Sequence, residues 1–412
     1  MRLLLCHNYY QQRGGEDESF EAEAQLLESH RHHVVRYTVH NDSIDGMRSW
    51  RLAGKTVWNC STYRQISALI REHQPEVVHC TNTMPLISPA VYYAAHHHDV
   101  AVVQSLRNYR MHCPGALLFR EGQPCESCVG RLVPWPGIVH ACYRESRAAT
   151  TVVAVHNALH GLLGTWRNRV DLYFAPTQFT RQKFIDGGLP ADQIAVKPNF
   201  VIADPSPVDK PRDDFIFVGR LTVEKGVETM LEAWRMLSHD VRLRVIGDGP
   251  LLTRVKQAAA SDKRIECLEQ LPAEETLKAI GRARVLVMPS IWYETFGRTM
   301  IEAFSRGTPV LASRIGAMTE IVTHGETGLL FEPGDARDLA EQVTALLSDA
   351  ERLQRMQAAA RREYEQRFSP EGNYEILLQL YHQARANRDA KQRRSPAAGG
   401  MEDLTTCNEL ES

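Results

Sequence analysis

Short apolar runs alternate with segments of helical periodicity along almost the whole chain. In the first half the apolar runs predict strands at residues 3–6, 33–37, 76–79, 100–103 and 171–175. Helical patterns fall between them, at residues 16–29, 63–73, 88–97 and 145–163. Strands that alternate with helices of this length form parallel sheets covered on both faces. The first half is therefore predicted to be a doubly wound α/β domain.

The second half repeats this pattern after a proline-rich segment at residues 198–211. Apolar runs predict strands at residues 215–218, 244–246, 285–289 and 310–313. We predict two Rossmann-like domains, residues 1–200 and 201–370, followed by a helix at 371–386. Residues 387–412 are rich in Arg and Lys at first and show no apolar period, so they are predicted to be a disordered tail.

The charge and hydrophobicity of the chain argue against several classes of protein. The 412 residues carry a formal net charge of −2, which argues against a general nucleic-acid binder, because such a protein needs a basic face. No apolar run approaches the roughly 20 residues that span a bilayer. The apolar stretch at the N-terminus is too short for a signal peptide. We therefore expect a cytoplasmic protein whose cysteines are mostly reduced.

Charged and flexible residues follow the strand ends of the second domain. Arg220 and Lys225 lie in the loop after strand 215–218, and Glu294 lies in the loop after strand 285–289. Gly297 precedes a short helix that contains Glu302. Ligands bind beyond the carboxyl ends of parallel strands, and a helix N-terminus there attracts anions. Two cations beside two carboxylates suit a diphosphate flanked by hydroxyl-bearing groups.

These residues resemble the C-terminal half of the retaining GT-B glycosyltransferases of family four. Three further motifs carry the resemblance, which extends over about residues 1–382: Gly247-Asp248-Gly249-Pro250, Gly307-Thr308-Pro309-Val310 and Gly325-Glu326-Thr327-Gly328-Leu329. The resemblance implies the GT-B fold, in which two Rossmann-like domains face each other across a cleft. It also implies that the C-terminal helix packs back across the linker.

The resemblance assigns roles to the residues of the second domain. Arg220 and Lys225 are expected to bind the donor diphosphate, together with the helix N-terminus that follows Phe296 and Gly297. Glu294 is expected to contact the transferred sugar. Glu302 is expected to bind the ribose. Two cations at the diphosphate imply that transfer requires no metal.

The first domain contributes a glycine pair, Gly14 and Gly15, directly after its first strand. Paired glycines let a ligand approach the backbone and the helix that follows. In the resembling family this loop faces the donor phosphate or the acceptor. The alternative is an ordinary turn between a strand and a helix.

Arg107 occupies the place where the family commonly carries a histidine that contacts the donor sugar. Arginine stays protonated and cannot act as a base, but it can stabilise the charge of a leaving group. We therefore predict a catalytic role for Arg107. Two alternatives remain open: a shifted histidine such as His79 or His112, or an impaired enzyme.

A cysteine-rich insertion is predicted at about residues 107–145. A Cys-x-x-Cys pair with two outlying cysteines fits a closed, structural zinc site, whose ligands would be Cys113, Cys125, Cys128 and Cys142. The pattern also resembles a cysteine-bearing subset of the family. The alternatives are four unrelated thiols, or two disulfides.

The function implied is transfer of a sugar from a nucleoside-diphosphate donor of the UDP or GDP type, with retention, to a glycan or lipid-linked acceptor. Cell-surface polysaccharide or glycolipid synthesis is the expected setting. Trp135, which stands between two prolines, fits either a peripheral membrane contact, at the inner face of the membrane, or plain packing. The alternatives are a nucleotide-sugar 2-epimerase on the same fold and a non-catalytic partner of an active transferase. A dehydrogenase is disfavoured because the first loop lacks Gly-x-Gly-x-x-Gly.

Overall fold

A computed structural model describes residues 1–12, 14–202, 212, 214–238 and 240–394. Within these residues the chain forms two six-stranded parallel sheets, each covered by helices, and one small antiparallel hairpin. The two predicted strand-and-helix halves therefore each build one sheet. Part of the proline-rich segment, residues 203–211, lies outside the described residues, as do residues 395–412 of the predicted tail.

The first sheet is built from the strands β1 Arg2–Tyr9, β2 His33–His40, β3 Val77–Asn82, β4 Ala101–Ser105, β7 Leu172–Ala175 and β8 Ile194–Val196. The hairpin of the insertion is β5 Phe119–Arg120 and β6 Gln123–Pro124. The helices of this half are α1 Gly15–Ser29, α2 Ser49–Val57, α3 Cys60–His73, α4 Ala90–His97, α5 Trp135–Val139, α6 Arg147–Leu162, α7 Thr165–Asn168 and α8 Gln178–Asp186. The strand order is β2-β1-β3-β4-β7-β8.

The second sheet is built from the strands β9 Phe215–Val218, β10 Leu243–Ile246, β11 Ile265–Glu269, β12 Val285–Met288, β13 Val310–Ser313 and β14 Gly328–Phe331. Its helices are α9 Val227–Met236, α10 Leu252–Ser261, α11 Ala273–Arg282, α12 Arg298–Ser305, α13 Met318–Ile321, α14 Ala336–Ser348 and α15 Ala350–Glu363. A π-helical turn, Tyr364–Phe368, leads into α16 Pro370–Arg394. The strand order is β11-β10-β9-β12-β13-β14.

Both sheets are buried on both faces. Within β1, Leu4 belongs to one apolar cluster and its neighbours Leu3 and Leu5 belong to another, on the opposite face. In β9, Phe215 and Ile216 divide in the same way. Side chains alternate across a strand, so a strand buried on both faces reads as a continuous apolar run. This explains the short apolar runs in the sequence.

The last helix is longer than the sequence predicts. It continues to Arg394 instead of ending at residue 386, and it packs against β3, β4 and β7 of the first sheet. Beyond residue 386, Arg388 lies 3.0 Å from Asp99, and Lys391 lies 3.2 Å from Asp171. These ion pairs hold a segment that lacks apolar periodicity, so the predicted tail does not begin at 387.

The two halves also meet across polar contacts. The Thr295 carbonyl accepts hydrogen bonds from the Thr177 and Thr180 hydroxyls, at 3.2 and 2.9 Å. The Glu320 carboxylate accepts from the backbone N–H of Gln178, at 3.0 Å, in the first turn of α8. A carboxylate is favourable at a helix N-terminus because it accepts from unpaired N–H groups. These contacts place the loop after β12 against the first domain.

Candidate active site

The loops after β9 and β12 form one unit at the carboxyl edge of the second sheet. These strands are parallel neighbours at the middle of the sheet. From β9 the chain adds β10 and β11 on one side, and from β12 it adds β13 and β14 on the other side. Ile291 N–H donates to the Glu224 carbonyl at 2.9 Å. Gly226 has φ +68°, and a Cβ there would overlap the Pro289 carbonyl oxygen. Glycine is therefore required where the two loops cross, at the position in an α/β sheet where ligands bind.

Lys225 and Glu294 meet at this crossing. Their side chains form an ion pair, and the Ser290 hydroxyl donates to the same Glu294 oxygen at 2.8 Å. Glu294 is only 5% exposed, and the Lys225 ammonium lies 5.4 Å from the centre of the Trp292 ring. The structure thus brings together the predicted diphosphate ligand Lys225 and the predicted sugar ligand Glu294.

Arg220 projects from the same loop with few constraints. Its side chain is 63% exposed, and its nearest carboxylate oxygen, on Glu224, is 3.8 Å away. That distance is longer than a hydrogen bond. The guanidinium can therefore turn toward an anion held near Lys225, five residues further along the chain.

The N-terminus of α12 opens beside Glu294. Gly297 caps it in the left-handed conformation, with φ +80°, and no side chain accepts from its first N–H groups. Such groups are donors for an anion. Glu302 lies on the same helix, with its carboxylate 2.9 Å from Arg298 Nε. The predicted ligand Phe296 is different, because its ring is buried against Phe368, so only its backbone can contact a ligand.

Two glycines behind this loop explain another motif. A Cβ on Gly247 would overlap the Gly219 carbonyl oxygen, and one on Gly249 would lie 2.7 Å from the Leu221 carbonyl oxygen. Leu221 N–H donates to the Asp248 carbonyl at 2.8 Å. The turn after β10 therefore supports the loop that carries Arg220 and Lys225.

In the first domain, Gly14 and Gly15 border open space. A Cβ on either residue would meet no heavy atom within 4 Å, and neither residue has a positive φ. Gly14 N–H donates to Asp17 at 2.9 Å, and the Glu16 carboxylate accepts from Asn108 at 2.8 Å. Local packing therefore does not require these glycines, which leaves a ligand-facing role as a prediction.

The Arg107 side chain is largely buried. Its guanidinium is 7% exposed and donates to Glu23 at 2.8 Å and to Asn199. Lys197 lies 2.6 Å from the same Glu23 oxygen. These contacts commit the guanidinium to a buried cluster shared by α1, the loop after β4 and the segment that leaves β8. In this geometry Arg107 has a structural role. To contact a leaving group, the guanidinium would have to break its hydrogen bonds with Glu23 and Asn199.

The neighbouring charges and burial determine the protonation states of Glu23 and His79 in this cluster. Burial alone would raise the pKa of Glu23, but the Lys197 and Arg107 cations outweigh that effect and lower it to about 2. Burial lowers the pKa of His79 to about 4. The cluster therefore holds an ionised Glu23 and a neutral His79 at pH 7.

The side chains of the two alternative histidines, His79 and His112, are both held by contacts inside the protein. His79 contacts the Tyr381 hydroxyl at 2.8 Å through Nδ1 and the Ser105 hydroxyl at 2.9 Å through Nε2. His112 packs against Phe184, and burial lowers its pKa to about 4. Neither imidazole is presented to the cleft as a free group.

A small cavity of about 50 Å³ lies at the ends of β3 and β4. Two of its lining residues, Arg110 and His156, are not predicted as site residues from the sequence. Asn82, Asn108, Arg110 and His156 are among its lining residues. Arg110 Nε and His156 Nε2 are buried without a hydrogen-bond partner in the described part of the chain. Buried polar atoms are normally paired, so these two nitrogens are open to a polar ligand or an ordered water. Neither residue belongs to a motif with a strand-end glycine or carboxylate.

The four cysteines of the insertion line one small cavity as free thiols. However, no group of three or more His, Cys, Asp or Glu residues among the described ranges is arranged to hold a metal ion. The Cys128 thiol faces the Pro134 carbonyl at 3.8 Å, and the Cys125 thiol faces Ser127 at 3.5 Å. The residues therefore do not fit the predicted zinc site.

A family model matches most of the second domain. Residues 201–363 match the family "Glycosyl transferases group 1". The chain is 35% identical over 153 residues to the sulfoquinovosyl transferase SQD2 of Arabidopsis thaliana, covering 36% of this chain and 29% of that protein. It is 33% identical over 188 residues to the D-inositol 3-phosphate glycosyltransferase of Pseudarthrobacter chlorophenolicus, covering 43% and 44%. The matches thus span less than half the length of either relative.

The solved structure of HepE from Anabaena in complex with UDP shares the whole architecture. It superposes with a TM-score of 0.65 at 18% identity, covering 92% of this chain and 99% of HepE. At that identity the likeness establishes the fold alone. The family resemblance and the GT-B fold expected from the strand-end motifs are confirmed. Residues 201–363 therefore belong to the group 1 glycosyltransferases, and the chain as a whole has the GT-B fold of two facing Rossmann-like domains.

Proposed function

We propose that this protein transfers a sugar, with retention, from a nucleoside-diphosphate donor to an acceptor bound by the first domain. One observation carries the proposal: Lys225 and Glu294 meet where the loops after β9 and β12 cross. Arg220 and the N-terminus of α12 lie on these same two loops. A cation, a carboxylate and free N–H groups lie together beyond the ends of β9 and β12, where ligands bind in such sheets. This combination suits a sugar diphosphate.

Binding of the donor would separate the ion pair between Lys225 and Glu294. A diphosphate accepts from the Lys225 ammonium, the Arg220 guanidinium and the first N–H groups of α12. Glu294 is then released to accept hydrogen bonds from sugar hydroxyls, and Glu302 is left to bind the ribose. Departure of the diphosphate concentrates negative charge at the cations, which stabilises the transition state electrostatically. With two cations in place, this step requires no metal ion.

Support for a UDP donor comes from HepE, which was solved with UDP. The acceptor is proposed to enter from the first domain, where Arg110 and His156 offer unpaired buried nitrogens. A polyhydroxyl group, on a glycan or a lipid-linked saccharide, satisfies such atoms. Cell-surface polysaccharide or glycolipid synthesis is the proposed setting.

Titration calorimetry with UDP and GDP tests the donor site. Lys225→Ala and Arg220→Ala are each expected to weaken nucleotide binding by about 2–4 kcal/mol, because a charge-assisted contact is lost. Arg254→Ala is the matched control, since Arg254 pairs with Glu228 away from the loop crossing. Unchanged affinity in both loop variants would rule out this diphosphate site.

A further inference from the structure

Exposed apolar side chains concentrate on one part of the first domain. Of the twelve large apolar residues that are exposed in the described part of the chain, eight lie in the loop before α5, in α5 itself or along α6 and its end. We call them the α5–α6 surface: Leu132, Val133, Trp135, Val139, Val155, Leu159, Leu162 and Leu163. Leu162 is 71% exposed and Trp135 is 53% exposed. Scattered exposed apolar residues are normal, but a contiguous set marks an interaction site.

The segments of this surface touch each other. A Cβ on Gly161 of α6 would lie 3.3 Å from Leu132 Cδ1, and α5 packs along α6. The neighbouring helix α2 is tied to α6 by a 2.9 Å contact between the Val57 carbonyl and His160 Nε2. Helix α2 carries Trp50, which is 65% exposed. The apolar residues therefore belong to one packed unit.

Helix α6 is apolar on both of its sides. Val153, Ala154 and Ala158 are buried on the inner side, as ordinary amphipathicity requires. Val155, Leu159 and Leu162 follow at spacings of four and three residues and form an outer stripe, where polar residues are expected. This outer stripe has no partner within the described residues.

Positive charge surrounds the apolar residues. The Arg51 guanidinium lies 5.2 Å from the Trp50 ring centre, and the Arg131 guanidinium lies 5.5 Å from that of Trp135. Segments 46–57, 127–144 and 146–170 together carry eight Lys or Arg and no Asp or Glu, although the whole chain has a net charge of −2. Glu145 is the one acidic residue between the last two segments. This is a basic, aromatic and apolar face on a protein that is otherwise acidic.

We propose that the α5–α6 surface, with α2 beside it, docks on an anionic lipid bilayer. Exposed tryptophans suit the headgroup layer, and arginines beside them can pair with lipid phosphates. A second copy of the same face would oppose like charges, which disfavours a two-fold dimer through it. No helix in the described part of the chain is long and apolar enough to cross a membrane, so this contact is with the bilayer surface.

The location also gives the contact a use, which rests on the proposed function. His156 and Asn157 of α6 line the polar cavity at the ends of β3 and β4, whereas Val155 and Leu159 face outward. A single helix therefore separates the cavity from the bilayer. Docking there would bring the headgroup of a lipid-linked acceptor to the cavity that would receive it.

Vesicle co-sedimentation tests the proposal. The full chain is mixed with vesicles of phosphatidylglycerol and phosphatidylcholine, or of phosphatidylcholine alone, at low and high salt. Wild type is expected to bind the anionic vesicles, and high salt is expected to weaken binding because exposed charges are screened. Leu162→Ser with Leu163→Ser, and separately Arg48→Glu with Arg51→Glu, are each expected to lower binding by about tenfold or more.

The matched control is Ile202→Ser with Met236→Ser, which changes two comparably exposed apolar residues elsewhere. It is expected to bind vesicles as wild type does. Absence of wild-type binding, or an equal loss in the control, would overturn the proposal. So would a wild-type dimer that the leucine pair variant converts to a monomer, because the surface would then bind protein. UDP affinity should be unchanged in every variant, so failure here is distinguishable from failure of the proposed donor site.

Discussion

At the residue scale, Arg107 shows how a buried charge cluster decides what a side chain does. The Arg107 guanidinium and the Lys197 ammonium lie 2.8 and 2.6 Å from the same oxygen of Glu23. Buried ions are stable only when they are paired. The cluster joins α1 of the first domain to the segment that leaves β8, so it stabilises the start of the connection to the second domain.

Arg107→Ala is expected to destabilise the protein by about 3 kcal/mol, because it removes one of two cations from a buried carboxylate. A lower urea midpoint would show this. Arg36→Ala is the control, since Arg36 forms more exposed pairs with Glu21 and Glu28 that are worth less than about 1 kcal/mol. If Arg107→Ala kept the wild-type midpoint and lost only sugar transfer, the catalytic role predicted from the sequence would stand instead.

His79 is expected to make stability depend on pH. Its folded-state pKa is lowered by burial to about 4, whereas an unfolded histidine titrates near 6.5. The unfolded state therefore binds more protons between these values, and stability falls as the pH falls from 6.5 to 4, by up to about 3 kcal/mol. In the folded state Glu23 stays ionised throughout this window, because its pKa is about 2, and its titration in the unfolded state at about 4.3 is shared by wild type and a His79 variant.

Urea unfolding of wild type and His79→Gln at a series of pH values measures this contribution. Glutamine can still donate to and accept from the Tyr381 and Ser105 hydroxyls, but it binds no proton. The advantage of wild type over the variant is expected to shrink as the pH falls through the window. Other buried histidines, such as His156 and His160, cancel in the difference. A constant difference between pH 6.5 and 4 would contradict the account.

At the scale of elements, the proposed donor site depends on two loops that cross at van der Waals distance. Gly226 ends the short 3-10 turn Val223–Lys225, which carries Lys225, and it leads into α9. The Pro289 carbonyl occupies the space that a side chain at Gly226 would need. The distance between Lys225 and Glu294 is therefore set by backbone contact as well as by their charges.

Gly226→Ala is expected to separate the two loops and to weaken UDP binding by at least tenfold in calorimetry. Gly334→Ala is a matched control, because Gly334 has a similar φ of +78° but no heavy atom near its would-be Cβ. The control should cost only the backbone strain of about 1–2 kcal/mol and should leave UDP affinity unchanged. Equal losses of affinity in both variants would show that the crossing contact is unimportant.

At the scale of the whole molecule, the parts that could be predicted from sequence are those set by local patterns. Apolar strands followed by glycine turns located β9, β10 and β12, and with them the loops that hold Arg220, Lys225 and Glu294. The residues that depend on distant partners could not be placed in this way. Arg107 is turned inward by Glu23, 84 positions away along the chain, and α16 is extended by ion pairs with Asp99 and Asp171.

The cysteines illustrate the same limit. Their spacing locates four thiols around one cavity, but spacing does not fix the direction of each sulfur atom. In the structure Cys125 and Cys128 turn toward Ser127 and the Pro134 carbonyl. The shape of the cleft is equally non-local, because Thr295 and Glu320 of the second domain bond to residues 177–180 of the first.

The most direct test of the central claim is the turnover of Glu294→Gln, measured as release of UDP from the nucleotide sugar that wild type consumes fastest. We expect turnover to fall by about 100-fold or more, since a contact to the reacting sugar is lost. UDP affinity should be kept or improved, because Lys225 loses a competing carboxylate. Glu266→Gln, an exposed substitution on β11, should behave as wild type does. Wild-type turnover in Glu294→Gln would contradict the assignment of the loop crossing as the active site.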